Sequence, residues 1–146
     1  MKLLGSRFPV NLYTGSNTKG LPVINGGTVK TLTEMPLIFH YSKINLNITS
    51  KSIRSGLPLR IFDILGCGGF LLTNYQPELS NYFTPGYDLV CYSSEDELLE
   101  KTEYYLSHEK ERIEIAQNGL QTVTQYHNYP ERLLQIISMA YGITKG

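Results

Sequence analysis

The residues best placed to do chemistry lie between Ser50 and Asn74. Ser50, Ser52, Ser55 and Gly56 form a polar loop, Pro58 fits the first turn of a following helix, Arg60 lies in that turn and Asp63 one turn later. Hydroxyls and free main-chain N–H groups beside the positive end of a helix make a ready phosphate site. A cation in a first helical turn opposes the macrodipole by ~0.3–1 kcal/mol, so helix formation alone does not favour Arg60 there. A bound diphosphate reverses that sign, because a guanidinium binds two phosphate oxygens at once. Asp63 stands between Phe62 and Ile64 on an otherwise apolar segment, where a carboxylate needs partners. Two vicinal ribose hydroxyls would serve. So would Arg60 at i,i+3 spacing, an exposed pair worth ~0.3–0.5 kcal/mol. The residues by themselves leave both readings open.

The elements that must position this segment alternate. Four runs read as strands: Val10–Thr14, Lys43–Ile48, Gly69–Thr73 and Asp88–Tyr92, with a weaker fifth at Thr28–Lys30. Helical segments between them predict an α/β fold with a mainly parallel sheet. The 69–73 run is continuously apolar, as a strand covered on both faces should be. Gly66, Gly68 and Gly69 end the helix before it and let it pack on that strand. They follow a helix, so they are not a dinucleotide fingerprint, which must precede one. Asn74 and Tyr75 come directly after the strand, where an open α/β sheet holds its ligands; Tyr75 is placed either to stack on one or to pack the rim.

Farther on, Ser94 and Glu97 form a capping box opening a helix that carries Leu98, Leu99, Thr102, Tyr105 and Leu106 inward. The acidic run Glu95–Glu97 suits the positive helix end better than a metal. A second helix, about Glu109–Gln125, aligns Ile113, Ala116, Leu120 and Val123; a third starts at Asn128-Tyr129-Pro130, with Leu133, Ile137 and Ala140 facing inward. His40, His108 and His127 are singletons and read as structural, His127 fixing the entrance to the last helix.

The chain has 146 residues, room for a single domain, and its 41% apolar and 18% charged content is that of a globular protein. Thirteen basic residues balance thirteen acidic ones, which argues against a general nucleic-acid binder. No apolar run approaches the ~20 residues a membrane helix needs, and the first residues lack a signal-peptide pattern. Cys67 and Cys91 have no metal-ligand spacing and read as buried, reduced thiols of a cytoplasmic protein; neither metal nor cofactor is expected.

The stretch Leu59–Asn74 resembles the R-x-F-E/D-x-x-x-x-G-G/A-x-x-L-T-D/N signature of the spore-maturation-protein-B type of glycosyltransferase, within the wider family-1 and family-4 nucleotide-sugar enzymes of GT-B fold. Tyr104–His108, Glu111–Ala116 and His127-Asn128-Tyr129 with Arg132 resemble that family's later helices. Val10–Gly15 and Val23–Val29 resemble its second strand and base-proximal loop. The resemblance implies a Rossmann-like three-layer carboxyl-terminal, donor-binding half. Asp63 would contact the donor ribose, Arg60 with Ser52, Ser55 and Gly56 the diphosphate or sugar, and Gly27, Thr28 and Val29 the nucleobase. Ser55 stands where the broader family has the first acid of E-x7-E, so a retaining mechanism of that type is in doubt, and the catalytic base is unassigned. No D-x-D occurs, in keeping with metal-independent GT-B chemistry.

The match begins near Leu3-Leu4, past the family's first strand. It therefore implies a fragment whose acceptor domain lies elsewhere. With that strand missing, strands 10–14 and 44–48 should either pair within one closed five-strand sheet or leave an edge open to homodimer formation. The competing reading is a non-catalytic α/β regulatory or interaction module. The acidic pair and lysine of a receiver domain are missing, which ranks it second.

Overall fold

The computed structural model describes residues 1–50 and 56–142. The chain forms two compact units, Met1–Ile38 and Phe39–Gly146. In the first, helix α1 (Lys2–Gly5) precedes strands β1 (Asn11–Leu12) and β2 (Ile24–Asn25), paired in parallel with Asn11 opposite Ile24. Strand β2 ends at Asn25, whose side chain accepts the Gly27 N–H at 2.9 Å while Gly27 takes a φ of 75°. That Asx turn needs the left-handed conformation glycine adopts freely, so the pairing falls upstream of the expected Thr28–Lys30.

Helix α2 (Met35–Tyr41) leads into the second unit, where β3 (Asn45–Asn47), α3 (Leu59–Gly66), β4 (Leu71–Asn74) and β5 (Val90–Tyr92) are followed by α4 (Glu95–Ser107), α5 (Glu109–Tyr126) and α6 (Tyr129–Tyr141). The three strands run parallel in the order β3-β4-β5. Among the described residues the single five-strand sheet is not formed: residues 11–12 and 45–47 belong to different sheets, because β1 takes β2 as its partner. Leu71, Leu72 and Thr73 of β4 are fully buried, as its apolar run requires.

Strand β3 inverts its sequence pattern. Asn45 and Asn47 are buried while Ile48 is 54% exposed. Burial of the asparagines is tolerated because their amides are used. Asn45 Nδ2 donates to the Phe39 and Phe70 carbonyls (2.8 and 3.2 Å), and Asn47 Nδ2 to the hydroxyls of Thr73 and Thr49 (3.0 and 3.2 Å).

Helix α3 turns Ile61, Ile64 and Leu65 inward and packs on β3, β4 and α5. It closes in a Schellman motif: Gly68, with φ of 70°, donates to the Leu65 carbonyl (2.9 Å) and Gly69 to Ile64 (3.0 Å). His40 Nδ1 donates to the Cys67 carbonyl at 2.9 Å, a structural task at the same helix end.

Ser94 caps α4 as the sequence indicates, its Oγ accepting the Glu97 N–H at 3.1 Å; the Glu97 carboxylate returns to the Ser93 N–H (2.7 Å) and binds Lys101. These bonds, first that from Lys101 and then that from Ser93, hold the Glu97 carboxyl below its ordinary 4.5. A lowered folded pKa stabilises the fold fully above the unfolded value and loses that contribution as pH falls through the folded one. Melting scans between about pH 3 and 7 should therefore show a shallower acid limb in Glu97→Gln than in the wild type. Identical limbs would show that the box contributes nothing.

In α5 the buried stripe is Arg112, Ile115, Ala116, Gly119 and Val123, whereas Ile113 of the expected stripe is 48% exposed. Arg112 is drawn in because its guanidinium donates to the Tyr105 carbonyl at the end of α4 (2.6 Å) and to Glu109 (3.3 Å). Helix α6 buries no residue; Leu133 and Ile137, expected inward, are 56% and 47% exposed. It is held at its start, where Asn128 caps it by accepting the Glu131 N–H at 2.9 Å. No helix among the described residues is long and apolar enough to cross a membrane.

Candidate functional site

Arg60 and Asp63 both lie on the solvent side of α3, opposite Ile61, Ile64 and Leu65. Pro58 is the N-cap rather than a first-turn residue and offers no side-chain acceptor to the first amides. The ion pair that their spacing permits is not formed among the described residues. Arg60 instead lies over the Phe39 ring, 5.5 Å from its centroid. The Asp63 carboxylate takes part in no hydrogen bond there, and its charge helps burial to push the Cys67 thiol up. It is a solvent-facing, acceptor-only group with its hydrogen-bonding capacity unspent.

Beside it Phe62 enters an aromatic cluster, with Phe83 and His127 at 5.3 and 5.6 Å. His127 is fixed at both ring nitrogens. Nε2 donates to the Tyr82 carbonyl (3.1 Å), so Nδ1 is the acceptor of the Arg132 guanidinium (3.0 Å). Arg132 also lies over the Tyr82 ring. His127 therefore ties the start of α6 to the turn after β4, the structural role its position suggested. His108 caps the α4 end through the Tyr104 carbonyl (2.7 Å).

At the carboxyl end of the sheet, Tyr75 continues the ladder through its N–H to the Tyr92 carbonyl (2.8 Å) and leaves its ring half exposed. The Asn74 carboxamide is engaged at both ends by Thr49: its Oδ1 accepts the Thr49 N–H at 2.7 Å and its Nδ2 donates to the Thr49 carbonyl at 3.3 Å. Gln76, the next residue but one, buries an Oε1 that has no hydrogen-bond partner among the described residues. Gly56 is exposed with φ of 86°. Ser52 and Ser55 lie outside the described residues. Gly27 and Val29 are half-buried and Thr28 exposed, in the first unit.

Sequence reasoning missed the network Asn47, Thr49 and Thr73. Its one visible signal is the run of hydroxyl and amide residues at the ends of two apolar strands. It also missed the Asp88 carboxylate, which is buried and takes the Thr84 N–H (2.7 Å) and the Thr122 hydroxyl (2.8 Å). Both cysteines are free and half-buried rather than fully buried; burial pushes Cys91 up to about 11, which leaves it protonated and inert at neutral pH. Among the described residues no three His, Cys, Asp or Glu side chains converge as metal ligands would.

Residues 1–138 match a family described as glycosyl transferase-like. No curated protein matches the chain. Among solved structures, Anabaena Alr3699/HepE in complex with UDP-glucose is similar, with a TM-score of 0.71 at 13% identity over 85% of this chain and 34% of that one. So is the C-terminal domain of a glycosyl transferase group 1 family protein (LpcC) from Francisella tularensis, with a TM-score of 0.60 at 18% identity over 75% and 56%. The chain thus spans about a third of the HepE chain. At these identities the likeness speaks for the fold: α/β, Rossmann-like, parallel-stranded, in the manner of carboxyl-terminal GT-B domains.

Proposed function

The chain belongs to the glycosyl transferase-like family, and from that premise we propose that it is the donor-binding domain of a glycosyltransferase, holding a nucleotide-diphosphate sugar. The observation that carries the reading is Asp63, a carboxylate with no hydrogen-bond partner among the described residues on the solvent face of α3, one turn after Arg60. A lone carboxylate on an exposed face gives the fold nothing, whereas two ribose hydroxyls would use its acceptors. Arg60 would meet the diphosphate together with Ser52, Ser55 and Gly56, and the ring of Tyr75 would line the sugar side. Gly27, Thr28 and Val29 would face the base. The UDP-glucose bound to HepE supports the ligand class.

Within the family, the signature around Leu59–Asn74 favours the spore-maturation-protein-B type. The acceptor domain would come from outside this chain, which by itself would bind donor without transferring the sugar. A cytoplasmic protein, working without a metal and capable of pairing with a second copy, completes the reading.

The test is titration of the chain with UDP-, GDP- and dTDP-linked sugars, by calorimetry and by melting. A ligand supplied at ~100-fold its Kd adds about 2.7 kcal/mol to stability, so at least one of them should give heat and raise Tm by several degrees. Silence from every nucleotide sugar overturns the proposal.

A further inference from the structure

Strands β3 and β4 part at a rung made by a side chain. Their register pairs Asn45 with Leu71 and Asn47 with Thr73, and the Asn45 N–H bonds the Phe70 carbonyl. Carried on by the evenly spaced rule of a parallel ladder, the Thr49 N–H would meet the main-chain carbonyl of Asn74, and the Thr49 carbonyl the Gln76 N–H. Neither bond is the one present. The Asn74 carboxamide occupies both places, accepting from Thr49 N at 2.7 Å and donating to Thr49 O at 3.3 Å. Its two partners, a donor and an acceptor, also fix which way the amide points. One residue earlier Asn47 bridges Thr73 and Thr49, so the strands are still tied where the ladder stops.

A side-chain rung is longer than a main-chain one, so it lets the two backbones diverge while keeping them attached. This happens at the carboxyl ends of the strands, where an open α/β sheet receives its ligand. On the other side Tyr75 is joined to β5 by its own N–H, so the fork sets the direction of the residue after it. We propose that Asn74 is a positioning residue of the donor site: it touches no substrate, and it holds open the fork between Thr49 and Tyr75 on which the donor rests. The proposal deepens the donor-binding reading and rests on it.

The test is titration of the full chain with UDP-glucose, wild type against Asn74→Ala and Asn74→Asp, at about pH 7.5 and at about pH 4, close to the ordinary aspartate pKa of ~3.9, with Tm recorded for each. Asn74→Ala should bind at least ~10-fold more weakly while remaining folded. In Asn74→Asp the ionised carboxylate still accepts the Thr49 N–H but opposes the Thr49 carbonyl. The neutral acid formed at the lower pH both accepts and donates, as the amide does. Affinity relative to wild type should therefore recover several-fold on acidification, a change that a packing role would not produce. If the wild type binds and Asn74→Ala binds equally, or if Asn74→Asp shows no recovery, the proposal falls and the donor reading stands. If the wild type binds no nucleotide sugar, the donor reading falls and takes this one with it. Should Asn74→Ala fail to fold, the pH recovery of Asn74→Asp decides alone.

Discussion

Gly119→Ala is expected to lower stability by about 3 kcal/mol and Tm by roughly 10 °C. In an ordinary helix interior the same change stabilises by ~1 kcal/mol, because alanine has the better helix propensity. Here the added Cβ would meet the Asp88 carbonyl oxygen at 2.4 Å and Leu65 Cδ2 at 2.8 Å. The carbonyl cannot retreat easily. Asp88 is held by the Thr84 N–H and the Thr122 hydroxyl, and the neighbouring Tyr87 carbonyl by Asn118 Nδ2 at 3.2 Å. Relief would therefore break bonds to a buried carboxylate, each leaving a polar group unsatisfied at ~1–3 kcal/mol. Gly66→Ala is the control, since its Cβ would make only ordinary contact, 3.6 Å from Val123 Cγ1, and should leave Tm near or above the wild type. Calorimetric or urea unfolding of the two variants settles the matter; a rise in Tm for Gly119→Ala would mean that α5 does not sit on Asp88 this closely.

Gly119 also shows what the sequence could not convey. Apolarity alone aligns Ile113, Ala116, Leu120 and Val123, but α5 is rotated so that a glycine and an arginine face in. Close approach and a carbonyl partner for Arg112 outweigh the burial of Ile113. Strand β3 makes the same point, since alternation assigns Asn45 and Asn47 outward and hydrogen bonding puts them inside. Helix α6 was legible as a helix from its Asn128 cap and Pro130, yet its apolar residues are exposed; a pattern says which face could be buried, not whether anything covers it. Local signals travelled best. The Ser94 cap and the glycine stop after α3 depend on neighbours within a few residues, and both are as expected. At the site, the placement of Arg60 and Asp63 one turn apart was legible, whereas the bonds between Asn74 and Thr49 were not, because the two residues are 25 apart in the chain.

Asp63→Ala should weaken UDP-glucose binding by ~1.5–3 kcal/mol, roughly 10- to 150-fold, the loss of charged hydrogen bonds to the ribose. It should leave Tm almost unchanged, because among the described residues the carboxylate makes no hydrogen bond or ion pair that the fold would lose. That separation makes the experiment decisive. A structural carboxylate would lose stability and affinity together; a ligand carboxylate loses affinity alone. Asp63→Asn keeps one acceptor oxygen without the charge and should fall between the two, since hydrogen bonds to charged groups exceed neutral ones by about twofold. Arg60→Ala supplies the complementary contrast. If the guanidinium meets the diphosphate, its loss weakens UDP and UDP-glucose but not uridine, while Asp63→Ala weakens all three. Equal Kd values for wild type and Asp63→Ala toward a nucleotide sugar that does bind would move the ribose contact elsewhere and leave the exposed carboxylate of α3 as no more than a solvated face.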